Sequence, residues 1–164
     1  MIFVLRGTSC SGKDYFAERH FAAHTILSSD GFRKMLFDRV EEQANNRIVF
    51  DTLNSILEQR LRFGVAYTVV NATSLKFKDC ATYFELAKKF GVAITVISID
   101  PPGTDVLLAR NESRGAAGGL KVPEEVIHRH LNSYYTGMER FVDAQKEFDN
   151  YTFIRINQQW EIVQ

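Results

Sequence analysis

A mainly parallel, five-stranded α/β sheet with helices on both faces is the architecture this sequence predicts, and three observations point to it. Short apolar, β-branched runs alternate with longer stretches whose apolar residues recur at three- and four-residue spacing. Each run closes on a cluster of Gly, Ser, Asn, Asp or Pro, where a strand would hand over to a helix. The first run, Ile2–Leu5, is apolar throughout, as a strand buried on both faces has to be. With 164 residues, 45% of them hydrophobic, the chain suits a single domain over residues 1–164 with a sizeable core.

Taken in order, Ile2–Leu5 is the first strand, and a helix from Gly12 to about Ala23 follows, with Tyr15, Phe16, Ala17, Phe21 and Ala22 as its apolar positions. Thr25–Ser28 is a short second strand, and Ser28-Ser29-Asp30 can cap a helix that begins near Gly31. Phe32, Met35, Leu36 and Val40 then share one face, leaving Arg33 and Lys34 to point elsewhere. Asn45-Asn46 interrupts the pattern, and a helix from about Ile48 to Phe63 resumes it with Val49, Leu53, Ile56, Leu57 and Leu61 before Gly64. Ala66–Val70 is the third strand, ending at Asn71-Ala72-Thr73-Ser74. Cys80–Phe90 is helical up to Gly91, and Val92–Ile99 is the fourth strand, closed by Asp100-Pro101-Pro102-Gly103. Thr104 or Asp105 caps a short helix through Arg110, and Asn111–Gly119 is a small, flexible loop. Pro123 opens a helix that extends to Glu147, because a missing N–H is tolerated in a first turn. Tyr151–Ile156 is the last strand.

Composition narrows the function classes. The formal net charge is zero, so nucleic-acid binding would depend on a local basic patch. The two cysteines, Cys10 and Cys80, have neither metal-ligand spacing nor a disulfide framework, which suits a reducing compartment. The N-terminal apolar run is interrupted by Arg6 and is too short for a signal peptide or a membrane span, so a cytoplasmic location without membrane partners is expected. No motif sets an oligomeric state.

The stretch Gly7-Thr8-Ser9-Cys10-Ser11-Gly12-Lys13-Asp14 follows the first strand directly. It carries the glycine and lysine spacing of a phosphate-binding loop, which makes the sheet P-loop NTPase-type. Glycines at 7 and 12 let backbone approach an anion closely. Successive N–H groups and the start of the next helix supply partial positive charge, and Lys13 reaches the terminal phosphates. The usual Ser or Thr that ligates Mg²⁺ is replaced by Asp14. A carboxylate oxygen also suits a hard cation, so Asp14 either binds metal in a different way or repels phosphate. A glycine-bearing β–α turn with no ligand is the plain alternative.

In a parallel sheet ligands sit beyond the carboxyl ends of the strands, so Gly7–Asp14, Ser28–Arg33, Asn71–Ser74 and the Asp100 turn should meet on one rim. Phosphoryl transfer needs a cradle, a metal, a base and cations that follow the moving charge. Asp30 is placed to be the base with Arg33 beside it at i+3, or Asp30 is only a helix cap. Arg110 and Arg114, four apart, form an arginine-bearing lid over the nucleotide, or are solvated helix-end residues; spacing alone favours the second. Tyr134 and Tyr135 suit core or groove wall, and His20, His24, His128 and His130 suit surface or capping roles.

Gly7…Gly12-Lys13, Ser28-Ser29-Asp30-x-x-Arg33, Ala72-Thr73, and Arg110-Asn111-x-x-Arg114-Gly115 with Val122-Pro123 together resemble the kinase domain of phage and bacterial 5′-hydroxyl polynucleotide kinases, enzymes of nucleic-acid repair. The ordered set spans residues 2 to about 140. The resemblance implies that Lys13 and the loop amides bind ATP phosphates and that Asp30 is the general base on a 5′-hydroxyl of RNA or DNA. It also implies that Arg33 holds the acceptor's adjacent phosphate with Thr73 nearby, and that Arg110 and Arg114 act on the donor. Mg²⁺ is the implied cofactor. Two positions depart from the family pattern: its Ser or Thr is Asp14, and the Asp that often precedes Ala-Thr is Asn71. Either the carboxylate has moved from one site to the other, with Asp14 supplying part of the metal shell, or Asp14 weakens ATP binding. Two other classes stay open: a P-loop kinase of a nucleoside, antibiotic or sugar, and a nucleotide-binding domain with little turnover.

Overall fold

A computed structural model describes residues 1–41 and 44–163. Its sheet contains β1 (Ile2–Arg6), β2 (Ile26–Ser28), β3 (Thr68–Asn71), β4 (Ile94–Ile99) and β5 (Tyr151–Ile156) in the order β2-β3-β1-β4-β5, with every pairing parallel. The helices are α1 (Lys13–His20), α2 (Ser29–Phe37), α3 (Asn46–Arg62), α4 (Ala81–Phe90), α5 (Thr104–Ala116) and α6 (Glu124–Asp143). Among the described residues, no helix is long and apolar enough to cross a membrane.

The alternation of side chains along each strand divides its apolar residues between two cores. Ile2 and Val4 of β1 join Val70, Leu53, Leu57, Phe84 and Phe141 on the face covered by α3, α4 and the end of α6. Leu5 points the other way, with Val69, Ile97 and Ile99, and meets Phe16 and Ala17 of α1. A third cluster, Leu107, Val122 and Ile127, pins α5 to α6. Burial on both faces explains why these strands are apolar runs rather than alternating ones.

Several boundaries and faces differ from the sequence reading. Helix α1 stops at His20, because Phe21 turns extended and packs its ring 5.2 Å from Phe3. On α2, Ser29, Phe32 and Arg33 face inward, while Met35 is 75% exposed and Leu36 is exposed. The helix lies behind the edge strand, so only one side of it is covered. Ile56 of α3 is also on the outer side. Gly103, not the side chain of Thr104 or Asp105, occupies the N-cap of α5. Most consequential, α5 continues to Ala116, through the first six residues of the segment expected to be a loop, and only 117–119 lie outside it. Asn111 accepts from Val122 N at 2.9 Å and donates to Val122 O at 2.7 Å. That pair of bonds ties the helix to the following segment, and one interior glycine, Gly115, costs only about 1 kcal/mol. At the other end of the chain α6 closes at Asp143 and a single 3₁₀ turn, Ala144–Lys146, replaces the expected last helical turn.

Candidate active site

The carboxyl ends of β1, β2 and β3 deliver three segments to one rim. Between β1 and α1 the loop folds around the carbonyl of Thr8, which accepts from Ser11 Oγ at 2.9 Å and from Lys13 Nζ at 2.7 Å. Gly7 N donates to Thr73 O at 3.1 Å and so ties the loop to the end of β3. A Cβ at Gly7 would lie 2.8 Å from Ser11 Oγ and 3.2 Å from Ile99 O, so only glycine lets the turn close. Cys10 adopts φ 62 and Gly12 φ 101. Thr8 Oγ1 is buried with no protein partner. Burial lowers the pKa of Lys13, with Asp14 and Asp30 opposing the shift.

Gly12 carries a second constraint. A Cβ there would meet the Trp160 ring at 3.1 Å. Gly12→Ala is expected to cost about 1–2 kcal/mol of stability in urea unfolding, from left-handed backbone strain alone. Unchanged stability would mean that the loop and Trp160 both relax.

Asp14, in the first turn of α1, meets Asn71 at the end of β3: Asn71 Nδ2 donates to Asp14 Oδ1 at 2.7 Å. The two positions that depart from the family pattern are thus direct neighbours. On α2, Ser28 is the cap, its Oγ accepting from Gly31 N at 3.3 Å, so Asp30 does not serve that purpose. Asp30 instead accepts from Arg33 Nη1, whose Nη2 donates to Asn46. Arg33 is only 7% exposed and its Nε is buried without a protein partner. Because α5 is continuous, Arg110 and Arg114 project from it one turn apart. Arg110 Nη1 donates to Cys10 O at 3.2 Å and to Gln158 Oε1 at 3.1 Å, while Arg114 Nη2 donates to Asn111 Oδ1 at 3.2 Å.

Two cavities, of about 470 and 380 Å³, adjoin the loop, and Cys10, Lys13, Asp14 and Arg114 line both. The larger is completed by Tyr15, Arg110, Gln158 and Trp160. The smaller gathers Ser9, Asp30, Arg33, Thr73, Arg129 and His130. The candidate catalytic and acceptor residues outside the loop fall in these two spaces, Arg110 in the first, Asp30, Arg33 and Thr73 in the second and Arg114 in both, whereas Asp100, expected on the same rim, lines neither.

Some site residues carried no sequence signal. Trp160 stacks on Tyr15 and Phe16 at 5.5 and 5.7 Å, and Gln158 donates to Ser11 O at 3.1 Å and to Asp100 O. Both follow β5, so the rule that ligands gather beyond strand ends could have pointed to them. His130 Nδ1 lies 3.2 Å from Ser9 Oγ, which corrects its reading as a surface residue. Arg6, fully buried, donates to Ser98 Oγ at 2.8 Å and to Leu75 O and Tyr134 O, with its guanidinium 4.2 Å from the Tyr134 ring. Tyr134 OH in turn donates to Asp100 Oδ1 at 2.7 Å. This chain of bonds fixes α6, and with it Arg129 and His130, to the root of the phosphate loop.

A parallel sheet with a glycine–lysine loop after its first strand, and a lid helix above it, defines a P-loop kinase-like fold. A family model described as an AAA domain matches residues 2–137, and the chain belongs to that family. No curated protein matches it in sequence. Among solved structures, the AvrRxo1-ORF1:ORF2 complex with ATP is similar at TM-score 0.78 and 18% identity, over 99% of this chain and 56% of that one. The Pnkp1/Rnl/Hen1 RNA repair complex gives TM-score 0.71 and 19% identity, over 85% of this chain and 45% of that one. A candidate kinase of Chloroflexus aurantiacus gives 0.60 and 19%, over 71% and 68%. The chain thus spans about half the length of the first two, and the likeness is one of fold.

For Mg²⁺ the donor set is suitable. Such an ion takes one or two protein carboxylates and completes its shell with phosphate and water, and Asp14 stands in the cradle next to Lys13. Among the described residues no group of three or more His, Cys, Asp or Glu is gathered to hold an ion by itself.

Proposed function

We propose that the protein transfers the γ-phosphate of ATP to the 5′-hydroxyl of an RNA or DNA strand, in nucleic-acid repair. The observation that carries this reading is the pair of cavities that share Lys13, Asp14 and Arg114 in their walls, an arrangement suited to two substrates meeting at one phosphoryl group. Lys13 and the amides of Gly7–Asp14 hold the donor phosphates. Asp14 takes part in holding Mg²⁺, which when bound neutralises phosphate charge. Asp30 accepts the proton of the acceptor hydroxyl as its oxygen attacks phosphorus. Arg33 keeps Asp30 oriented and, from the wall of the smaller cavity, supplies positive charge for an acceptor phosphate, with Thr73 in the same wall. Arg110 and Arg114 stabilise the charge that builds on the migrating group. Structural similarity to a protein of an RNA repair complex supports the choice of acceptor.

A second reading is a small-molecule kinase acting on a nucleoside, antibiotic or sugar. It is favoured by the engagement of Arg33 with Asp30 and Asn46, since an uncharged acceptor needs no free cation there. Incubation with γ-labelled ATP, Mg²⁺ and 5′-hydroxyl oligonucleotides is expected to label the 5′ end. Label on a free nucleoside but never on an oligonucleotide would establish the second reading. Labelling of neither, with ATP still bound, would leave a nucleotide-binding domain without turnover.

A further inference from the structure

The smaller cavity contains a side chain that the proposed chemistry does not use. His130 comes from α6, 121 residues after Ser9, yet its Nδ1 stands 3.2 Å from the Ser9 hydroxyl of the phosphate loop. The charged and titratable groups that line the same cavity are the cations Lys13 of α1, Arg33 of α2, Arg114 of α5 and His130's own neighbour Arg129, the carboxylates Asp14 and Asp30, and the Cys10 thiol. Permanent positive charge exceeds negative charge, so the cavity suits an anion.

We propose that His130 is a proton-linked phosphate ligand, neutral beside Ser9 in the free protein and protonated from solvent when an oxyanion enters the loop. The event is a plain protonation: the imidazole takes up one proton, no bond to phosphorus forms, and the proton returns to solvent when the anion leaves. The proposal rests on the reading of Gly7–Asp14 as a phosphate site and adds a ligand to it. Its physical logic lies in the company His130 keeps. Burial pushes its pKa down to about 4, with Lys13 and then Arg129 adding repulsion, so a permanent cation here would work against the loop lysine. A bound dianion reverses the balance, because hydrogen bonding and opposite charge both favour the imidazolium. His130 then contributes positive charge only while there is negative charge to meet.

The sign of the pH dependence follows. An anion that restores the ordinary value near 6.5 binds more tightly as pH falls through that value, and the gain levels off below the free-protein value of about 4. Between pH 8 and pH 5 the gain is about thirtyfold. Sulfate is the probe, used without Mg²⁺, because it stays a dianion throughout and any pH dependence belongs to the protein. Calorimetric titration of the full chain is expected to show this gain. His130→Gln, and His130→Asn as a second variant, should bind sulfate like the wild type at pH 8 and show little change down to pH 5. NMR of the histidine Cε1 protons should show one of the four histidines, absent from the spectrum of both variants, moving from about 4 to above 6 on saturation with sulfate. An unchanged pH profile in both variants, or a His130 resonance whose titration sulfate does not move, overturns the proposal. Failure of the folded wild type to bind sulfate at any pH overturns instead the phosphate-site reading beneath it.

Discussion

Asp14→Ser is expected to weaken Mg²⁺-dependent ATP binding by about ten- to hundredfold, the range that follows from losing a group that holds or orients a metal shell. Adding Asn71→Asp to it should recover most of the loss. The reason is the 2.7 Å bond between Asn71 Nδ2 and Asp14 Oδ1. Two residues in contact share one electrostatic role, so their substitutions do not add. With one carboxylate in the pair, either position can supply it, while the partner contributes a neutral hydrogen bond. Asn71→Asp alone places two carboxylates in contact, and one of them must then hold its proton or retreat. That single variant is expected to bind ATP less well than the double variant at pH 8. Titrating Mg·ATP into the four proteins of the cycle checks the idea. Tighter binding by Asp14→Ser, or a double variant no better than Asp14→Ser alone, would favour the opposite view, in which Asp14 opposes phosphate.

The pair also illustrates what a sequence can and cannot disclose. That Asp14 and Asn71 were both irregular was visible in their local motifs; that they touch is a consequence of β1 and β3 being neighbours. The strand segments were legible because a parallel strand buried on both faces leaves an uninterrupted apolar run, and β5, Tyr151–Ile156, coincides with its predicted bounds. Helix α5 was expected to stop six residues too early because Asn111 and Gly115 resemble a loop locally. What keeps the segment helical is a side-chain bond to Val122 that no periodicity reveals. The face of α2 was misassigned for a related reason: apolar Met35 lost its inward place to Arg33, whose burial is compensated by Asp30 and Asn46. His130 was illegible as a site residue because it reaches the loop from a distant helix and lies in no motif, whereas Trp160 lies in no motif either and only its place just beyond β5 pointed to the site.

Asp30→Asn is expected to lower the rate of phosphoryl transfer by about a hundred- to ten-thousandfold, as loss of a general base does. ATP affinity should be nearly unchanged. Asn is almost the same shape, and its carbonyl oxygen still accepts from Arg33 Nη1, so the geometry of α2 and the bond from Arg33 to Asn46 survive. The ion pair itself contributes little to stability, because the Asp30 side chain is half exposed. A large fall in kcat with stability preserved therefore isolates the proton-accepting role from the structural one. Arg33→Gln makes the complementary separation. If Arg33 holds an acceptor phosphate, this variant should raise KM for an oligonucleotide far more than for a free nucleoside. If it only orients Asp30, kcat falls equally for both acceptors. Undiminished transfer by Asp30→Asn would remove Asp30 from the chemistry and return it to being the partner of the buried Arg33.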